Sequence, residues 1–165
     1  MEEELTFVPV GQRERAGLAA YAAQLWHAAY DGMLGKGQVD YMTEKFQSAP
    51  ALAEQAERGY RYYYLCLGKE RVGYCGVCPE PGRLFLSKLY LDGAHRGRGL
   101  GQRALADVAE IARGLGLPEF YLTVYKGNAP AIRAYERFGC RRTDAVVTDI
   151  GGGYVMDDYI YEYAL

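Results

Sequence analysis

The stretch KLYLDGAHRGRGLGQRAL, residues 88–105, decides the fold class and the chemistry expected of this chain. An apolar strand runs into a glycine-rich turn, and the turn opens a helix. Backbone N–H groups in such a turn point into one concavity, and a helix N-terminus adds about half a positive charge. Gly97, Gly99 and Gly101 leave the backbone open to an anion, because a side chain would block the approach. The sequence therefore predicts a phosphate site, with two arginines of the turn adding charge.

Outward from this stretch, strands and helices alternate along the chain. Strands are predicted over residues 5–9, 60–67, 72–78, 84–91, 119–125, 140–149 and 154–164. Helices are predicted over 12–30, 38–47, 50–58, 100–115 and 128–138, with breaks at Gly32, Gly35 and Gly37. The apolar face of the fourth helix carries Leu105, Val108, Ala109, Ala112 and Leu115. This order predicts the α/β class, a mixed sheet with helices on its faces, as a single domain over residues 1–165.

Composition narrows the classes of function. The formal net charge of −2 over 165 residues argues against a nucleic-acid partner, which normally calls for a basic excess. No apolar run approaches the roughly 20 residues that a membrane helix needs. The first residues, MEEELTF, are acidic where a signal peptide would be basic. We expect a cytoplasmic protein with no membrane partner.

Four cysteines, Cys66, Cys75, Cys78 and Cys140, include one C-x-x-C pair. Such a pair can indicate zinc or redox chemistry. However, it lies in a predicted strand, where residues three apart point to opposite faces. No second pair follows, so we expect buried structural thiols, no metal and no disulfide.

Two blocks of this sequence resemble a known family. Residues Arg96-Gly97-Arg98-Gly99-Leu100-Gly101 match the R/Q-x-x-G-x-G/A acetyl-CoA signature of the GNAT acetyltransferase superfamily. The segment LTVYKGNAPAIRAYERFGCRR, residues 122–142, resembles its second conserved block. The resemblance implies a GNAT-like acyl-CoA N-acyltransferase fold and an acetyl-CoA-dependent N-acetyltransferase.

The same resemblance implies individual roles. The turn would hold the pyrophosphate, the strand backbone would pair with the pantetheine arm, and an asparagine at a helix start would contact the cofactor. The residues so implied are Leu89, Tyr90, Leu91, Arg96, Gly97, Arg98, Gly99, Leu100, Gly101, Gln102 and Asn128. Tyr135 would protonate the departing thiolate, a step that benefits from a nearby acid.

No general base is assigned. Many relatives carry a glutamate on the strand before the turn, but residues 84–91 contain no carboxylate. Through water, the candidates are Glu80, Asp92, Asp157 and Asp158; alternatively, the amine loses its proton to solvent.

Two segments, one in each half of the chain, indicate the class of acceptor. Residues 26–48 and 151–165 resemble bacterial spermidine/spermine N-acetyltransferases, which implies a small cationic amine such as a polyamine. Carboxylates and aromatic faces suit such a substrate. Glu80, Asp157 and Asp158 are the candidate carboxylates. The resemblance implies that the first helix, with Trp26, His27 and Tyr30, borders the acceptor cleft, and His27 is interpreted as a surface or core histidine rather than a ligand. A regulatory acetyl-CoA-binding module without turnover, a protein N-terminal or lysine acetyltransferase, and a homodimer are left open.

Overall fold

The computed structural model describes residues 4–95 and 97–165. The strands are β1 (Leu5–Pro9), β2 (Arg61–Leu67), β3 (Glu70–Glu80), β4 (Arg83–Leu91), β5 (Glu119–Tyr125), β6 (Arg141–Gly151) and β7 (Tyr154–Ala164). The helices are α1 (Arg15–Leu34), α2 (Lys36–Gln47), α3 (Ala49–Glu57), α4 (Leu100–Gly114) and α5 (Ala129–Phe138). Short 3-10 turns cover Gln12–Glu14 and Gly93–His95. The role predicted for Arg96 falls on a residue outside the described ranges.

In the described part of the chain, seven strands form a sheet in the order β1-β2-β3-β4-β5-β7-β6. Strands β4 and β5 run parallel, with Leu84 opposite Phe120 and Phe85 opposite Tyr121. The pairs β1–β2, β5–β7 and β6–β7 are antiparallel. The mixed sheet flanked by helices that the sequence predicts is confirmed.

Two compact units make up the chain. The first comprises Met1–Gly76 and Lys88–Gly97, and the second comprises Val77–Ser87 and Arg98–Leu165. Side chains with essentially no exposed surface in the first unit include Ala22, Val39, Leu65, Val72 and Tyr74. Those of the second unit include Leu84, Ala104, Val108, Phe120 and Tyr161. Each unit therefore has a buried apolar core of its own.

Two of the predicted breaks are wrong. Gly32 lies inside α1 and Gly37 inside α2. Only Gly35 separates the two helices, with φ at 85° and its N–H donating to the Asp31 carbonyl at 3.0 Å. A helical glycine costs about 1 kcal/mol relative to alanine, which packing of the helix can offset.

The apolar face of α4 follows the predicted stripe with one exception. Leu105, Val108, Ala109 and Ala112 are buried. Leu115 is 39% exposed, because the helix ends at Gly114 and Leu115 is its C-cap. The helical periodicity is therefore correct, and its last predicted residue is wrong.

The cysteines are free thiols. Cys75, Cys78 and Cys140 are buried as predicted, whereas Cys66 is half-buried. Burial raises the pKa of Cys75 well above the ordinary thiol value, and it raises the pKa of Cys140 to about 12. Within residues 4–95 and 97–165, no three His, Cys, Asp or Glu side chains group to hold a metal. No helix in those ranges combines the length and apolarity needed to cross a membrane.

Candidate active site

The turn before α4 is built on two glycines in the left-handed region. Gly97 has φ of 78° and Gly99 has φ of 76°. A Cβ added at either position would meet nothing within 4 Å. Residues 97–99 are exposed. The backbone of the turn is thus open to a ligand, and its φ angles favour glycine.

Among the described residues, no side chain caps the first turn of α4. Gly99 is its N-cap, and neither a side-chain cap hydrogen bond nor an acidic residue occurs in the first turn. By contrast, Ser48 caps α3 and Asn128 caps α5 through their side-chain oxygens. Because the first N–H groups of a helix have no partner within it, α4 presents amide donors and a positive dipole end to an anion. This arrangement fits a phosphate group.

Gln102, at the start of α4, was predicted to help hold the pyrophosphate. Its side-chain Nε2 donates to the backbone oxygen of Ala134 in α5 at 2.9 Å. The side-chain amide therefore links the two helices, while the backbone N–H of Gln102 belongs to the uncapped first turn.

Asn128, the predicted cofactor contact, lies at the N-terminus of α5 and is 9% exposed. Its Oδ1 accepts from the Ala131 N–H at 3.3 Å, which is an N-cap hydrogen bond. Pro130 occupies the first turn, where its missing N–H leaves no helical bond unmade. Asn128 therefore has a local role as the N-cap of α5.

Tyr135 lies in α5 and is half-buried. Its ring centroid is 6.5 Å from that of Tyr161 in β7. The buried Tyr161 donates its hydroxyl proton to Glu136 Oε2 at 2.7 Å. Burial, with this hydrogen bond to Glu136, raises the pKa of Tyr161, so that its hydroxyl stays a donor.

A backbone hydrogen bond joins the C-terminal end of α5 to Tyr135. Gly139 closes the helix with φ of 108°, and the Cys140 N–H donates to the Tyr135 carbonyl at 3.0 Å. This six-to-one bond is the Schellman pattern of a helix C-terminus.

The predicted pantetheine strand, Leu89–Leu91, is half-buried at the end of β4. The Tyr90 carbonyl lies so close to β3 that a Cβ at Gly73 would be 2.2 Å from its oxygen. The Asp92 N–H donates to the Val72 carbonyl at 2.7 Å. Because backbone groups alternate in direction along a strand, those of Leu89 and Leu91 point to the edge away from β3.

The first unit contains a cluster of aromatic side chains joined by hydrogen bonds. The sequence did not predict this network. Trp26 Nε1 donates to Tyr74 Oη at 2.6 Å, and Tyr74 Oη donates to Gln47 Oε1 at 3.0 Å. The Tyr90 ring lies 5.4 Å from Trp26 and 6.1 Å from Tyr30. Trp26 and Tyr30, predicted to border the acceptor cleft, are each only 5% exposed. Their spacing of four residues on one helix face is the sequence pattern that indicates a core position.

His27 lies between two carboxylates. Its Nδ1 is 2.6 Å from Asp31 Oδ1, and its Nε2 is 3.0 Å from Asp40 Oδ1. Lys36 pairs with the other oxygen of Asp40 at 2.8 Å. The hydrogen bond from Lys36 holds the pKa of Asp40 below its usual value.

The four carboxylates considered as a general base differ in their contacts and burial. Tyr121 Oη lies 2.9 Å from each oxygen of Glu80 and donates its one proton to that carboxylate. Asp92 Oδ1 accepts from the Ala94 N–H at 3.0 Å. Asp157 pairs with Lys126 Nζ at 2.8 Å. Asp158 is half-buried in β7, opposite Tyr125. These contacts assign no general base.

An open glycine turn and an uncapped helix start beside a mixed sheet suit a phosphate-bearing ligand. The chain matches the model of the acetyltransferase (GNAT) family over residues 22–140, and it belongs to that family. It is an acetyl-CoA-dependent N-acetyltransferase.

Named relatives and solved structures agree with this assignment. The chain is 36% identical to the spermine/spermidine N(1)-acetyltransferase of Bacillus subtilis over 123 residues, 68% of this chain and 78% of the relative. It is 39% identical to the streptothricin acetyltransferase of Streptomyces lavendulae over 57 residues, 34% of this chain and 30% of the relative. The PaiA N-acetyltransferase of Thermoplasma acidophilum, solved with coenzyme A, has a TM-score of 0.81 at 17% identity. That alignment covers 98% of this chain and 99% of the other, and it shows the shared fold.

Proposed function

We propose that the chain moves the acetyl group of acetyl-CoA directly onto a primary amine, and that the acceptor is a small cationic amine such as a polyamine. The observation that carries the cofactor part is the uncapped start of α4 behind Gly97 and Gly99. Its first-turn amides suit the pyrophosphate, and the guanidinium groups of Arg96 and Arg98 would add charge. Leu100 and Gly101 contribute backbone N–H groups to the same turn.

The pantetheine arm would pair with the edge of β4. Leu89 and Leu91 direct their backbone groups away from β3, which leaves hydrogen-bonding capacity for an extended ligand. A backbone N–H of this strand would also stabilise the oxygen of the tetrahedral intermediate. Asn128 would reach the cofactor from the start of α5.

The reaction needs two proton movements. The amine nitrogen attacks the thioester carbon and loses a proton, and the C–S bond then breaks to release a thiolate. Tyr135 would give that thiolate its proton and recover one from solvent. Its half-buried place on α5 supports this role, because the side chain is shielded without being sealed in the core.

The polyamine acceptor rests on the relatives. The Bacillus subtilis relative is named for spermine and spermidine, and it aligns over two thirds of this chain. Shorter alignments reach proteins named for streptothricin and for thialysine. The carboxylates Glu80 and Asp157 already have partners in Tyr121 and Lys126, so they add little support.

A panel of amines tests the acceptor. Release of CoA is measured with spermidine, spermine, an amino acid, an aminoglycoside and a peptide N-terminus. We expect the highest kcat/KM with a polyamine, rising with pH until the attacking nitrogen is neutral. A preference for the peptide would replace the polyamine by a protein acceptor. Tight acetyl-CoA binding without release of CoA for any amine would favour a regulatory module.

A further inference from the structure

We propose that Gln102 and the Tyr161–Glu136 pair are positioning residues, which hold Tyr135 in register with the cofactor turn at the start of α4. The proposal rests on the role of Tyr135 as the acid. It adds a physical link between the helix that would bind the pyrophosphate and the helix that carries the acid.

Packing alone gives α5 little support. The helix has ten residues, and none of them is buried. A helix of this length is marginal in water, so its place depends on contacts with its surroundings. Phe138 holds the C-terminal end, with its ring 4.8 Å from that of Tyr163. The segment around Tyr135 needs other contacts to fix its rotation.

The first such contact comes from α4. Gln102 Nε2 donates to the Ala134 carbonyl at 2.9 Å, one residue before Tyr135. A helical carbonyl has two lone pairs, so it can accept this bond as well as the bond within the helix. Because Gln102 lies three residues after Gly99, the bond joins α5 to the cofactor turn itself.

The second contact comes from β7. Tyr161 is fully buried, and its hydroxyl donates to Glu136 at 2.7 Å, one residue after Tyr135. A hydrogen bond to a carboxylate is about twice as strong as one between neutral groups. Residues 134 and 136 are about 200° apart around a helix of 3.6 residues per turn. The two bonds therefore restrain opposite sides of α5, with Tyr135 between them.

A double-mutant cycle tests whether Tyr161 acts through Tyr135. Tyr161→Phe keeps the buried ring and removes the hydroxyl. We expect kcat to fall roughly 10- to 100-fold, the range that a misplaced catalytic group produces, with the acetyl-CoA affinity unchanged. In the Tyr135→Phe background, Tyr161→Phe should cause no further loss, because the acid it positions is already absent.

Matched controls separate positioning from folding. Tyr163→Phe removes a hydroxyl from the same strand beneath the same helix, and kcat should stay at the wild-type value. Glu136 is exposed, so Glu136→Ala should fold and should lower kcat as much as Tyr161→Phe. Gln102→Met keeps the chain length and removes the donor, and it should lower kcat more than cofactor affinity.

A different result would contradict the role of the Tyr161–Glu136 pair, that of Gln102 and that of Tyr135. Full kcat in Tyr161→Phe and Glu136→Ala, or an equal further loss in the Tyr135→Phe background, would reject positioning by this pair. A weaker acetyl-CoA affinity without a lower kcat in Gln102→Met would reject positioning by Gln102. A full-rate Tyr135→Phe enzyme would instead reject the acid role and leave the proposed acetyl transfer to another proton donor.

Discussion

Tyr135 differs from its neighbour Tyr161 in how far the side chain is buried. Tyr161 is buried and donates to Glu136, so its proton is committed to a structural bond. Tyr135 is half-buried on α5, and its ring centroid lies 6.5 Å from that of Tyr161. Because its side chain is only partly buried, Tyr135 is the one of these two tyrosines that a ligand can reach, and it is the one we propose as the acid.

Replacing Tyr135 by phenylalanine should therefore slow the chemical step. An acid that acts only in the transition state lowers kcat and kcat/KM together. The expected loss is about 10² to 10⁴-fold, measured by release of CoA at saturating amine. Cofactor affinity, followed by calorimetry, should stay near the wild-type value. A variant with full kcat would remove Tyr135 from the mechanism.

At the scale of an element, the two ends of α4 provide a matched pair of glycines. Gly99 precedes the helix with φ of 76°, and Gly116 follows it with φ of 71°. Neither would place a Cβ within 4 Å of another group. Gly99→Glu and Gly116→Glu thus impose the same backbone strain, roughly 1–2 kcal/mol, and add the same charge.

Only the Gly99→Glu change should affect the cofactor. Its carboxylate would lie at the uncapped helix start, where it would occupy the amides and repel a pyrophosphate. We expect no measurable acetyl-CoA binding by calorimetry for Gly99→Glu and wild-type binding for Gly116→Glu. Equal affinity in the two folded variants would move the pyrophosphate away from this turn.

The elements that local sequence determines were predicted well. The turn before α4 follows from its glycines, and the buried stripe of α4 follows from its 3.6-residue period. The breaks at Gly32 and Gly37 were wrong, because packing of α1 and α2 overrides the low helix propensity of glycine.

The contacts around the candidate acid were beyond sequence reasoning for a different reason. Gln102 meets Ala134 across 32 residues, and Tyr161 meets Glu136 across 25 residues. No periodicity or spacing rule pairs side chains that are brought together only by the sheet order and helix placement. The single-domain organisation and the roles of the site residues stay predictions.

At the scale of the whole molecule, the cysteines and carboxylates predict independence from metals and disulfides. All four cysteines lie in the described ranges as free thiols, and three are buried. We expect the turnover rate to be unchanged by a chelator and by a reductant, measured with the best amine of the panel. Loss of turnover with either reagent, restored by zinc or by an oxidant, would contradict this.

Because three of the thiols are buried, their reaction with an alkylating reagent reports local opening of the fold. Cys66 is half-buried, so an alkylating reagent should modify it first in the folded protein. Cys140 is buried, and its N–H is bonded to the Tyr135 carbonyl at the end of α5. Its alkylation requires a local opening that exposes the sulfur at the junction of α5 and β6, and openings of this kind can occur without global unfolding. The rate at which a peptide containing Cys140 gains an adduct therefore reports how often the junction of α5 and β6 opens.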